Sequence, residues 1–255
     1  MKLYFSGISG HSEYKMLKEA GVKHLLVDPV DYQYIPPKRL RVALDSGAYR
    51  ASKRGYIPDL EKYLAFTRSH GPFDFAVSVD VIRDPKASRE NWERLRQLKR
   101  SDEPTIFIPV FQWGGEPDDL KRYLDEAPVV GIGGLVSMMR NRDEQMLDQL
   151  GELCSIYRSR FHVFGINWLE AIEQLKDLIV SGDSSKWLDA ARYHHLIFTN
   201  TKTGRLAQAP AKALGLTLSR EELCIQSARN LEEFTLNEDN RIDRKRSKQG
   251  SAKRA

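Results

Sequence analysis

The sequence is poor in cysteine: Cys154 and Cys224 are the only two among 255 residues. Two thiols exclude a disulfide framework and a four-thiolate zinc site. No apolar run approaches the roughly 18 residues that a membrane-spanning helix requires. The opening Met1-Lys2-Leu3-Tyr4-Phe5 turns polar by Ser9, too early for a secretory hydrophobic region. An internal repeat and a Gly/Ser-rich linker are also missing. So is the G-x-G-x-x-G spacing of a dinucleotide-binding turn, since the first apolar run ends in Ser6-Gly7-Ile8-Ser9-Gly10. These absences predict a cytoplasmic protein with no membrane partner.

What is present suits a globular chain: 41% hydrophobic and 29% charged residues leave material for a sizeable core. The net charge of +5 is unevenly spread. Residues 241–255 hold seven of the 40 basic residues and one of the 35 acidic ones, so the remainder carries 33 against 34. With almost no apolar side chain, this tail cannot offset the entropy of ordering and reads as disordered. A basic arm suits a polyanion, because each phosphate it neutralises releases counterions. Its plainer use is to keep the chain soluble.

Short β-rich runs occur at 2–8, 23–28, 41–44, 75–79, 105–111, 129–132, 161–164 and 178–180. Helical patterns lie between most of them, at 59–69, 84–99, 117–125, 143–157 and 169–178. In the second of these Pro85 occupies a first position, and Trp92, Leu95 and Leu98 share one face. Eight strands with intervening helices over about 200 residues fit a closed (β/α)8 TIM barrel, an α/β fold, better than an open sheet. The barrel would occupy residues 1–194. Residues 195–240, with a strand-like 195–200 and a helical 220–234, would form an appended segment packed on it, followed by the basic tail.

In such a barrel the active site lies at the carboxyl ends of the strands. Those ends read Asp45-Ser46-Gly47-Ala48-Tyr49, Ser78-Val79-Asp80, Phe111-Gln112-Trp113-Gly114-Gly115, Gly131-Ile132-Gly133-Gly134-Leu135, Phe164-Gly165-Ile166 and Ser181-Gly182-Asp183-Ser184-Ser185. Each aspartate alone has a plain use as a helix N-cap. Three at one mouth repel and raise one another's pKa, an arrangement usually kept for binding or catalysis. The glycines serve tight turns or close backbone approach to a ligand, and Gln112 reads alternatively as a satisfied core amide. Two carboxylates flanking a sugar can cleave an N-glycosidic bond, one attacking C1′ and the other managing the proton of the leaving base. A third can take the N1–H and N2 amino donors of a guanine-like ring, with Gln112 and glycine N–H groups at its O6. Tyr49 and Phe164 are placed to stack on the ring, or else belong to the core.

This ordered set of motifs (Asp-Ser-Gly-Ala-Tyr at 45–49, Val110-Phe111-Gln112, Gly-Ile-Gly-Gly-Leu at 131–135, Gly-Asp-Ser-Ser at 182–185) resembles the queuine tRNA-ribosyltransferase, or tRNA-guanine transglycosylase, superfamily. The branch it is most similar to is the short 7-deazaguanine DNA transglycosylases of phages and bacterial DNA-modification clusters. The resemblance runs over residues 41–192. It implies base exchange through a covalent glycosyl-enzyme intermediate in a TIM barrel. Asp183 would be the nucleophile and Asp45 the general acid/base. Asp80 and Gln112 would read the base, Gly133, Gly134 and Leu135 would contact O6 and the 7-substituent, and Tyr49 and Phe164 would stack. Ser46 and Gly165 join the candidate substrate-binding set. The incoming base would be a 7-deazaguanine such as 7-cyano-7-deazaguanine. If the gene is a phage's, the location implied is the host cytoplasm.

The sequence departs from the tRNA enzymes in two places. Their Cys/His zinc motif is absent, since residues 193–240 offer only His194, His195 and Cys224, so no cofactor is expected. Ala48 stands where they have a second glycine. The missing zinc element, which helps to dock tRNA, favours DNA as the polymer, with tRNA the alternative; a homodimer is left open. Arg50, Lys53, Arg54, Arg83, Arg140 and Arg142 follow the active-site strands and would rim the mouth, holding phosphates while a guanosine is flipped inward. The rival readings are the same chemistry on tRNA, a non-catalytic nucleic-acid-binding barrel subunit, and an N-glycoside hydrolase that releases base to water.

Overall fold

The computed structural model describes residues 1–36 and 40–236. Nine parallel strands form one sheet: β1 (Lys2–Phe5), β2 (His24–Val27), β3 (Arg41–Leu44), β4 (Ala76–Val77), β5 (Phe107–Ile108), β6 (Val110–Gln112), β7 (Val130–Gly133), β8 (Phe161–Val163) and β9 (Ser181–Ser184). Their order is β5-β4-β3-β2-β1-β9-β8-β7-β6. β5 and β6 are two parts of a single strand interrupted at Pro109, which has no N–H to give a ladder. Its carbonyl still accepts from Gly131 N–H at 2.8 Å. Because β4 pairs with β5 and β6 with β7, the sheet returns on itself, and the architecture is the α/β (β/α)8 barrel that the periodicity predicts.

The strands alternate with α1 (His11–Ala20), α2 (Ala48–Lys53), α3 (Leu60–His70), α4 (Pro85–Leu98), α5 (Pro117–Glu126), α6 (Val136–Asn141), α7 (Glu144–Ile156), α8 (Leu169–Leu175) and α9 (Lys186–Arg192). The legible helices begin where capping chemistry puts them. Asp59, Asp84 and Asp143 each accept backbone N–H groups of the first turn of α3, α4 and α7. Trp92 and Leu95 of α4 face the core, whereas Leu98, in the last turn, is 39% exposed and does not share their burial. The short α2 and α6 complete the series without a periodic signature of their own.

After α9 a hairpin, β10 (His195–Thr199) with β11 (Leu206–Pro210), and α10 (Arg220–Leu236) pack back on the barrel. α10 lies against α9, α1 and β10 and buries Leu223, Cys224, Ala228 and Leu231. Ser227 Oγ accepts the Ile197 N–H at 3.1 Å, and Asn230 donates to the Ile197 carbonyl at 2.6 Å. The buried Glu232 accepts from Lys23 N–H at 3.2 Å, and burial pushes its carboxyl up to about 7. The basic tail at 241–255 lies outside the described residues. Among those residues no helix is long and apolar enough to cross a membrane.

One strand sits elsewhere than its sequence suggests. The apolar 178–180 is a turn after α8, and the eighth barrel strand is Ser181–Ser184, which has no β-branched side chain. Closure selects it: Lys2 to Phe5 pair in register with Ser181 to Ser184, and Gly182 lets Ile166 and the Val163 carbonyl come close. A Cβ at Gly182 would meet Ile166 Cδ1 at 2.5 Å and the Val163 carbonyl at 3.1 Å. Gly182→Ala should therefore destabilise the barrel by about 1–3 kcal/mol. Adding Ile166→Val, which removes the nearest methyl, should recover part of that in a thermal or urea melt.

Candidate active site

The loop after β3 is built to present Asp45. Asp45 N–H bonds the Val27 carbonyl at 2.8 Å, extending the ladder one residue past β3. Gly47 then takes φ 76°, a left-handed conformation that turns the chain into α2. Between them, Ser46 Oγ accepts from Ala48 N–H at 3.2 Å and donates to Asp80 Oδ1 at 2.9 Å. Gln112, the last residue of β6, donates through Nε2 to Asp80 Oδ2 at 2.7 Å. Three strand ends thus meet on one buried carboxylate. Gln112 fits because residues 133 and 134 are glycine: a Cβ at Gly133 would stand 3.3 Å from its Nε2, and one at Gly134 3.2 Å from its Oε1. Gly134 also has φ 82°, whereas Gly131 and Gly133 lie within β7 rather than in a turn. The Leu135 side chain is fully buried, so this loop offers a ligand mainly backbone.

Across the mouth, Asp183 on β9 accepts the Gly165 N–H at Oδ1, 2.9 Å away. Its own carbonyl accepts from Ile166 N–H at 2.8 Å. Gly165 has φ 67°, so the donor is aimed by a backbone shape that favours glycine. None of the three aspartates caps a helix. Asp45 accepts only its neighbour's N–H (Ser46, 2.9 Å), Asp80 two side-chain donors and Asp183 a loop N–H.

Burial shows in the acidity of two of them. Burial, then the charges of Asp80, Asp183 and Asp28, push Asp45 up to about 7. Burial raises Asp80 to about 6 even though Ser46 and Gln112 favour its charged form. Behind them Tyr63 donates to the Leu44 carbonyl at 3.2 Å, and burial next to Asp45 and Asp80 holds its phenol well above the ordinary range.

The aromatic pair is split between two settings. Phe164 lies inside the barrel, its ring where a Cβ on Gly131 would collide at 2.5 Å, with its centroid 4.6 Å from that of His162. Tyr49 is 45% exposed on α2, with the Lys53 ammonium 4.2 Å from its ring centre. Beside Asp80 a cleft of about 390 Å³ opens between Ala48, Ser52, Tyr56, Ile57 and Ile82, and it falls within the usual size for small ligands. Of the basic residues, Lys53, Arg54, Arg83, Arg140 and Arg142 are exposed. Arg83 and Arg142 have positive φ, an uncommon conformation outside glycine. Arg50 differs: its guanidinium pairs with Asp28 (Nε to Oδ2, 2.7 Å) and with Asp31, so it braces α2 against the loop after β2.

Several residues that sequence reasoning missed belong to the same mouth. Asn167 Oδ1 collects the Ser184 hydroxyl and the Ser185 N–H, each at 3.0 Å, fixing the turn after Asp183. Burial lowers the Lys186 ammonium; Asp189 opposes this and Arg142 reinforces it, so a second cation stands near Arg142. His162 is fully buried on β8, with Nε2 3.8 Å from Asp183 Oδ1. A serine pair after Asp183 and a histidine in an alternating strand were the signals available. Among the described residues no group of three or more His, Cys, Asp or Glu side chains is arranged to hold a metal ion, His194, His195 and Cys224 included.

No protein-family model matches the chain, and no curated protein matches it.

The raised pKa of Asp45 has a thermodynamic counterpart. An unfolded aspartate titrates near pH 4, so folding takes up a proton between about pH 4 and 7, and stability falls as pH rises through that window. Asp45→Asn should melt higher than the wild type at pH 8. With partial exposure discounted, the gain is about 2 kcal/mol, or a few degrees. Differential scanning calorimetry should show the gap closing by pH 4.

Proposed function

We propose that this barrel is a DNA-guanine transglycosylase that replaces guanine with a 7-deazaguanine base through a covalent Asp183–sugar intermediate. The observation that carries the proposal is the division of labour among the three carboxylates. Asp45 is protonated near neutrality, Asp183 is oriented by a backbone donor, and Asp80 is paired with Gln112. A carboxyl that keeps its proton close to neutrality, facing a carboxylate oriented by a backbone donor, is the pairing that an acid and a nucleophile require.

In this reading Asp80 accepts the N1–H and N2 amino donors of guanine, and Gln112 with the glycine backbone approaches O6. Asp183 attacks C1′, the C1′–N9 bond breaks, and Asp45 gives its proton to the departing guanine. Asp45, now a carboxylate, takes the N9 proton of the incoming 7-deazaguanine. That N9 attacks C1′ and releases Asp183. Carbon at ring position 7 leaves N9 unaffected. The exposed cations Lys53, Arg54, Arg83, Arg140 and Arg142 would hold phosphates around the flipped nucleotide.

DNA is favoured over tRNA on the sequence, in which residues 193–240 lack the Cys/His motif of the tRNA enzymes; the hairpin and helix built from that segment pack on α9 and α1. Incubation with 7-cyano-7-deazaguanine and, separately, duplex DNA or unmodified tRNA, followed by nucleoside mass spectrometry, tests this directly. A modified deoxynucleoside from the DNA arm alone is expected. A modified ribonucleoside alone would transfer the activity to tRNA, and base release without exchange would make the protein a hydrolase. Asp183→Asn should abolish the trapped adduct. The pH profile follows from the site: reading guanine needs Asp80 charged, above about 6, and expelling it needs Asp45 protonated, below about 7. A narrow bell between those limits is expected for kcat/KM, with the alkaline limb absent in Asp45→Asn.

A further inference from the structure

His162 is buried to 0% exposure directly beneath Asp183. Its ring is hemmed by Tyr4, Phe75 and Phe164, with centroids 5.9, 5.0 and 4.6 Å away, so its orientation is fixed by packing. Nδ1 lies 2.8 Å from the hydroxyl of Ser181, its register partner on β9. Among the described residues Nε2 has no hydrogen-bond partner, and it points at Asp183 Oδ1, 3.8 Å away. A buried polar atom with no partner is destabilising unless something else uses it. An aromatic hydrocarbon would fill this aromatic nest without that penalty.

The tautomer follows from the surroundings. If Nδ1 carried the proton, the Nε2 lone pair would face a carboxylate and be repelled. If Ser181 donates to Nδ1, Nε2 carries the proton and presents it to Asp183. At 3.8 Å this is too long for a hydrogen bond. Oδ1 already holds the Gly165 N–H, so the imidazole stands as a second donor in reserve.

We propose that His162 is a positioning residue for Asp183, held as the Nε2–H tautomer to support the carboxylate as it is released from the sugar. This rests on the reading of Asp183 as the nucleophile. In the glycosyl ester Asp183 is uncharged. When N9 of the incoming base attacks C1′, the C1′–Oδ bond breaks and both electrons return to Asp183. A donor aimed at that carboxylate stabilises the product of this step and tempers nucleophilicity in the preceding one. His162 neither gains nor loses a proton.

The test separates the two half-reactions by rapid quench on the full chain. His162→Phe should slow release of Asp183 about tenfold more than its glycosylation, so that trapped adduct accumulates above the wild-type level. His162→Gln, which retains an N–H at the Nε2 position, should restore much of the wild-type partition. If both variants melt as the wild type does and partition alike, the inference is overturned. A wild type that forms no adduct with either polymer overturns the transglycosylase reading instead. The contact itself is then decided by ¹⁵N-detected histidine spectra, assigned by the loss of signal in His162→Gln. A protonated Nε2 that shifts in Asp183→Asn supports the pairing, and a protonated Nδ1 overturns it.

Discussion

Closing eight strands into a ring forces the carboxyl ends of β3, β4 and β9 to face one small volume, and with them Asp45, Asp80 and Asp183. Everything distinctive about the mouth answers that crowding. Burial and neighbouring charge in a partly dry site favour retention of a proton, and donors to the carboxylate oppose it. Asp80 has two side-chain donors, Asp183 a backbone N–H from across the strand gap, and Asp45 only the amide of its own neighbour. Asp45 is driven up to about 7 and Asp80, with its two side-chain donors, to about 6. The glycines at 47 and 165 shape the turns beside Asp45 and Asp183, and Gly134 leaves room for the Gln112 amide that reaches Asp80.

The barrel was legible in the sequence because its signals are local. Aspartates at 59, 84 and 143 cap helices within a few residues, and apolar runs at 24–27, 41–44 and 161–163 alternate with them. The eighth strand was misplaced because Ser-Gly-Asp-Ser has no strand propensity, and its place is set by pairing with a segment from the other end of the barrel. β11 went unseen for a related reason: Leu206-Ala-Gln-Ala-Pro carries no β-branched residue and pairs only because β10 offers an edge.

At the site, the types and positions of Asp45, Asp80, Gln112 and Asp183 could be read from strand ends. The partnerships could not. Arg50 looks like any rim cation until the loop after β2 delivers Asp28 and Asp31 to it. His162 sits in the alternation of an ordinary inward-facing position, and only the register of β8 with β9 brings it under Asp183. Residues that act through a neighbour on another strand leave little trace in one dimension.

The seam between β1 and β9 has a consequence for how the molecule is made. β1 is made well before its partner at residues 181–184, and the outer brace of that seam, α10 against α1 and α9, comes later still. A nascent chain on the ribosome therefore exposes one edge of β1, with Leu3 and Phe5 uncovered, until residues 181–184 follow. Such contacts, distant in sequence, are slow to form. Unpaired edges of this kind are where chaperones bind and where aggregation begins. Expression yield, more than the stability of the finished barrel, is the property this topology places at risk.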